Sequence, residues 1–300
     1  MKREDIRASA RGVAGIAAVR AMLSTNPDDA DVPVADRRAR LAAFAAAAPP
    51  SPEPVREERV GGVRALRLIP DGACGRIVYL HGGAYVLGSA DTHIRLGSTY
   101  ARASGAELVS VNYRLAPEHP YPAAIDDAVA IWSALGDKVP TALLGDSAGG
   151  GLALALAVRL RDEGLLMPAA LAVTSPWIDL TLTAESIDGR SNVEIMLSRR
   201  GLALDADRYR GNIPANDRRV SPLFADLKGL PPTMIQVGSD EVLYDDSIAL
   251  ADRLGGAGVD VRLEVWHGMA HAWAAFGEAV PEAALSVTSL GRFIRERLDA

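Results

Sequence analysis

The pentapeptide Gly145-Asp146-Ser147-Ala148-Gly149 fits the pattern G-x-S-x-G. It lies between a short apolar run, Ala142-Leu143-Leu144, and a helix-like stretch, Ala148 to Glu163. A strand, a tight turn with small neighbours and a helix would raise the serine hydroxyl on a strained nucleophile elbow. The helix would also aim unsatisfied N–H groups at that point, which suits a developing anion. Such a serine needs a base before it can attack. The histidines are His81, His93, His119, His267 and His271. In sheets with such an elbow the chain order is serine, acid, histidine. Only His267 and His271 come late enough, both inside Trp266-His267-Gly268-Met269-Ala270-His271-Ala272-Trp273. The acid should lie just past a strand end between serine and histidine. Asp240 and Glu241 satisfy this, Asp245 and Asp246 follow in the next helix, and Asp179 is a weaker choice. Aspartate and glutamate can each hold an imidazole tautomer, so residue type does not separate Asp240 from Glu241. Upstream, His81-Gly82-Gly83-Ala84-Tyr85 follows the run Ile77 to Leu80. Its glycines let backbone N–H donors approach a ligand closely, as an oxyanion hole requires. His81 comes too early to be the base and is expected to brace this loop.

These residues need a scaffold that brings strand ends together. Ile77–Leu80, Leu108–Val111, Ala142–Leu144, Leu171–Val173 and Met234–Val237 are short, apolar and bounded by turn chemistry, like buried parallel strands. Helical stretches lie between them, such as Ala123 to Leu135. Alternation of this kind predicts an α/β fold: a mostly parallel sheet with helices on both faces. Val259 to Val265 alternates strictly and reads as a half-buried strand near the sheet edge, and Pro281 to Leu298 as a closing helix. Residues 1 to about 55 read as helical, ending at the breakers Ala48-Pro49-Pro50-Ser51-Pro52. Residues 181–231 contain no clean strand and are rich in Arg, Asp and Asn, so they read as an insertion. With residues 1–55 they would form a helical cap over a catalytic domain spanning 56–300.

Composition narrows the partners. Among 300 residues, 38 acidic side chains exceed 32 basic ones, and the net charge of −6 argues against nucleic acid. All but three of the basic residues are arginine, but they are scattered as on a solvated surface. The single cysteine, Cys74, excludes an intramolecular disulfide and a Cys-based metal site. At the N-terminus, Glu4 and Asp5 occupy the would-be positive region of a leader, so an amphipathic helix is expected there instead of a signal peptide. The run Leu41 to Ala48 is too short to span a bilayer. A cytoplasmic protein without stable membrane association is expected.

Taken together, the motifs resemble the hormone-sensitive-lipase-like family of bacterial esterases, which have the α/β-hydrolase fold. The resemblance rests on His81-Gly82-Gly83-Ala84, on Asn112-Tyr113-Arg114-Leu115-Ala116-Pro117-Glu118-His119-Pro120-Tyr121-Pro122-Ala123-Ala124, on Gly145 to Gly150, and on Ser175-Pro176-Trp177-Ile178-Asp179-Leu180-Thr181. It covers nearly all of the chain after about residue 60 and implies an N-terminal helical cap. It also implies that Glu241, in Glu241-Val242-Leu243-Tyr244-Asp245-Asp246, is the acid and that His271 is the base. The family more often has aspartate at the first position, and a third glycine where this chain has Ala84. Alanine keeps its N–H, so the donor survives if the backbone admits a Cβ. By the same likeness the oxyanion donors are Gly83, Ala84 and Ala148, with Gly82 part of the loop. Tyr85, Asp146, Trp177, Met196, Leu202, Tyr244 and Trp273 are candidates for the substrate-binding wall.

The resulting expectation is a serine carboxylesterase for short- to medium-chain acyl esters, needing neither cofactor nor metal. Lactone and N-acetyl or peptide hydrolysis use the same chemistry. A different class, a silent hydrolase scaffold that only binds a ligand, fits poorly because serine, acid and histidine are all present. A homodimer through the Val259–Val265 edge or the last helix is a further expectation.

Overall fold

The computed structural model describes residues 1–23, 29–47 and 50–300; Ala48 and Pro49 of the breaker cluster lie outside them. The strands are β1 (Lys2–Arg7), β2 (Val55–Val60), β3 (Val63–Leu68), β4 (Arg76–Leu80), β5 (Glu107–Val111), β6 (Thr141–Asp146), β7 (Leu171–Thr174), β8 (Thr233–Gly238) and β9 (Val261–His267). The helices are α1 (Ala10–Leu23), α2 (Val34–Ala47), α3 (Ala90–Ser104), α4 (Ala123–Leu135), α5 (Ala148–Asp162), α6 (Ser186–Gly189), α7 (Arg199–Arg210), α8 (Tyr244–Gly256) and α9 (Pro281–Leu298). One sheet runs β1-β9-β8-β7-β6-β4-β5-β3-β2. Pairing is parallel from β1 to β5 and antiparallel only where β3 joins β5 and β2 joins β3.

Every residue of β4 to β8 is buried, which explains their largely apolar runs. Alternate residues feed two cores. Val78, Leu80, Val109 and Val111 pack with α4, α5 and α8 on one face. Ile77, Tyr79 and Leu108 pack with α3 and α9 on the other. The five predicted parallel strands are all present, as are the helices at 123–135 and 281–298.

The N-terminus departs from expectation. Residues 2–7 form a strand, not the start of a helix, and pair with β9 along its whole length. A six-residue polar segment has little to bury as a helix, but the free edge of β9 supplies a full ladder of backbone partners. Charges then pair across the ladder, with Asp5 at 3.0 Å from His267 and Glu4 at 3.6 Å from Arg262. Consequently β9 is not the edge strand, and a dimer built directly on its edge is not available. Its polar Glu264 is wholly buried, accepting from Gln236, Arg262, Trp266 and Ser289.

Residues 181–231 hold α6, α7 and a 3-10 turn, Pro222–Phe224, with no strand among the described residues. The N-terminal helices are bonded to this segment. Arg37 of α2 meets Asp205 of α7 through two bonds, at 3.0 and 2.8 Å, with side chains only 7% and 2% exposed. Arg20 of α1 donates to the carbonyl of Val193. Asp205→Ala would remove one partner of a buried ion pair, a change that typically costs about 3–5 kcal/mol. Urea unfolding of that variant should show a loss of this order. A midpoint equal to wild type would mean the pair does not hold α2 on α7.

Candidate active site

The turn after β6 lifts Ser147 at φ 53°, ψ −125°, a conformation that L residues rarely adopt. The flanking glycines are required by contact. A Cβ on Gly145 would lie 2.2 Å from the Gly149 carbonyl oxygen, and one on Gly149 would lie 2.0 Å from that of Leu80. α5 starts at Ala148 with no side-chain cap, so its first N–H groups stay open toward the serine.

His271 sits in the loop after β9, with Nε2 3.0 Å from Ser147 Oγ. Its Nδ1 is 2.7 Å from Oε2 of Glu241, in the turn after β8. Glu241 is wholly buried, and its other oxygen accepts from the Gly238 N–H at 2.7 Å and the Ser175 hydroxyl at 2.8 Å. One carboxylate oxygen is therefore locked by two donors while the other faces the imidazole. Burial alone would lower the His271 pKa. The hydrogen bond and charge of Glu241 outweigh it, with Glu194 and Asp146 adding to them, and the net shift is upward.

The other acid candidates are engaged elsewhere. Asp240 takes the Ser239 hydroxyl, Asp245 the Ser186 N–H, and Asp246 the N–H groups of Ile178 and Asp179. Asp179 binds Thr181. His267 points to Asp5 on the surface, leaving His271 as the late histidine that meets the serine.

The loop after β4 faces the same turn. Gly83 has φ 117°, and a Cβ there would fall 2.3 Å from the Leu87 carbonyl oxygen, so glycine is required. Ala84 adopts φ 54°, so the backbone admits its Cβ, at a cost of about 1–2 kcal/mol for the left-handed region. Among the described residues, the N–H groups of Gly83, Ala84 and Ala148 find no acceptor. Gly82 differs: its N–H donates to Asp146 Oδ1 at 3.1 Å and is not free for a ligand. The same oxygen takes the Tyr79 hydroxyl at 2.6 Å. Asp146 is thus a buried brace between the two loops. His81 lies between the rings of Tyr113 and His93, its Nδ1 2.7 Å from the Gly82 carbonyl. Burial pushes its pKa down to about 3, so it stays neutral, and it braces the loop as expected.

Tyr85 is also a packing residue, stacked on Tyr209 of α7 with ring centroids 3.7 Å apart. Trp177, Leu202 and Trp273 are buried, Met196 is exposed, and Tyr244 is half-buried beneath the Arg190 guanidinium. The Trp177 N–H donates to the Ser147 carbonyl, which places that tryptophan beside the elbow. Ser175 was not singled out from sequence. Its hydroxyl links Glu241 to the Ala272 N–H at 3.1 Å, joining the acid turn to the histidine loop. A polar residue at the carboxyl end of β7, between the strands that carry Ser147 and Glu241, was the available signal. Among the described residues no cluster of three His, Cys, Asp or Glu side chains could hold a metal ion. No described helix is long and apolar enough to cross a membrane.

A family model described as an α/β hydrolase fold matches residues 77–275, and the chain belongs to that family. It is 42% identical over 223 residues to an acetyl-hydrolase of Streptomyces hygroscopicus, covering 73% of this chain and 75% of the other. It is 39% identical over 245 residues to an esterase of Acinetobacter venetianus, covering 80% and 81%. A solved esterase from the bacterial hormone-sensitive lipase family superposes with a TM-score of 0.90 at 37% identity, over 97% of this chain and 99% of that one. Within the α/β hydrolases the protein is thus a carboxylic ester hydrolase of the hormone-sensitive lipase branch.

Proposed function

We propose that the protein is a serine carboxylesterase for short- to medium-chain acyl esters, with Ser147 as nucleophile, His271 as base and Glu241 as its orienting acid. The observation that carries this reading is the continuous chain Ser147 Oγ–His271 Nε2 at 3.0 Å and His271 Nδ1–Glu241 Oε2 at 2.7 Å. His271 takes the hydroxyl proton as Ser147 attacks the ester carbonyl, and returns it to the leaving alcohol. Water then releases the acyl group by the same route. The open N–H groups of Gly83, Ala84 and Ala148 receive the oxyanion, and one such donor is typically worth about 2.7–4 kcal/mol. α1, α2 and residues 181–231 serve as the cap, with Trp177, Leu202, Tyr244, Trp273 and Met196 on its acyl side. The name acetyl-hydrolase on one relative supports the short end of the acyl range. A cytoplasmic location, as the sequence suggests, belongs to the same proposal.

The test is hydrolysis of p-nitrophenyl esters from acetate to palmitate across pH. Rates should peak at short chains and fall at palmitate. Protonated His271 cannot accept the serine proton, so kcat/KM should decline as pH drops through its pKa. Because that pKa is raised, the acid limb should lie above the value for free imidazole. A maximum at palmitate would overturn the acyl range, and an absence of turnover on every ester would overturn the assignment.

A further inference from the structure

We infer that Glu194 is a positioning residue for this reaction, holding the turn that carries Glu241 in register with His271. The inference rests on the triad proposed above. Glu194 lies in the segment 181–231 and is only 8% exposed. Its Oε1 accepts the N–H groups of Ile195, Met196 and Leu197 at 2.7, 2.8 and 3.3 Å. Its Oε2 accepts the N–H of Val242 at 3.0 Å. Val242 directly follows Glu241. Among the described residues no arginine or lysine pairs with Glu194. A carboxylate this buried is costly unless its oxygens are filled, and here backbone N–H groups from two segments fill them.

Neighbouring contacts bracket the same turn. Arg190 donates to the Ser239 carbonyl, two residues before the acid. The Ser186 hydroxyl donates to the Val242 carbonyl at 2.6 Å and accepts from the Asp245 N–H at 3.1 Å. The bonds to Gly238 and Ser175 fix the far oxygen of Glu241, but the backbone after it is held from the 181–231 segment. Glu194 therefore couples the cap to the acid. The charges that act on His271 are those of Glu241, Glu194 and Asp146. Arg190, on the same segment, lies over the Tyr244 ring.

Glu194→Gln and Glu194→Ala test this beside wild type, with p-nitrophenyl butyrate turnover across pH. A second readout is the low-field proton resonance of His271 Nδ1–H, assigned by its loss in His271→Ala. Glutamine keeps one acceptor oxygen but loses the charge and turns an N–H toward other donors. A misplacement of the order of 1 Å can lower a rate up to about 100-fold. The expected fall in kcat is therefore about 10-fold for Gln and about 100-fold for Ala, with KM nearly unchanged. In Glu194→Gln the acid limb should move to lower pH and the His271 resonance should shift or broaden. A folded Gln variant with wild-type kcat, limb and resonance would overturn the inference. So would a loss of kcat with limb and resonance unmoved, which marks a structural role only. If the Ala variant does not fold, the Gln variant decides alone. Wild type without ester turnover, but with a His271 resonance that moves in Glu194→Gln, would sink the esterase reading and leave the positioning role standing.

Discussion

Ser147→Ala should lower kcat on p-nitrophenyl butyrate by about 10⁶-fold, the scale seen when a triad serine is removed from a serine hydrolase. KM should change little, since the acyl pocket and the oxyanion N–H groups remain. The fold should be unaffected. Alanine can occupy the same turn at φ 53°, and among the described residues the hydroxyl's one side-chain partner is His271. Thermal unfolding close to wild type, together with the loss of turnover, is the expected pair of results. A rate within about 10-fold of wild type in a folded variant would move the nucleophile elsewhere, because the oxyanion hole and binding alone account for a far smaller acceleration.

Glu241→Gln should cost about 10⁴-fold in kcat, the effect reported for an amide in place of a triad acid. The geometry explains why an isosteric change is so damaging. Oε1 accepts from Gly238 and Ser175, and Oε2 accepts from His271 Nδ1. An amide can place its oxygen on only one of these sides. If the oxygen stays with Gly238 and Ser175, the amide N–H faces Nδ1 and favours the tautomer protonated at Nε2. That tautomer cannot accept the serine proton. If the amide turns over, its N–H meets the Gly238 N–H in a fully buried site, an unsatisfied clash of donors. The acid limb of the pH profile should also move down, since the largest source of the raised His271 pKa is lost. A loss of less than about 10-fold would transfer the role to another carboxylate, with Asp240 the first to test.

Much of this was legible because it is local. A serine between glycines, after an apolar run and before a helix, leaves few alternatives at the elbow, and the contacts of Gly145 and Gly149 show the steric reason. The central strands were readable because full burial on both faces favours largely apolar runs, as in β4 to β8. The hairpin of β2 and β3 gave no such signal. Val55-Arg56-Glu57-Glu58-Arg59-Val60 is largely exposed, so its strand state comes from pairing with β3 and not from an apolar pattern. The N-terminal strand was hidden for the same reason: Lys2 to Arg7 become a strand only because β9 offers an edge.

By itself the sequence determined the class of fold, the elbow serine proposed as nucleophile and the chain order of the groups that meet it. Those follow from residue type, spacing and burial periodicity, which act over a few residues. Only the tertiary structure decided which carboxylate meets His271, that the Gly82 N–H is occupied by Asp146, and that Ser175 and Glu194 support the acid. Each of these depends on a hydrogen bond between segments distant in the chain. Such a bond is worth little until packing has brought its partners together, so no local pattern announces it.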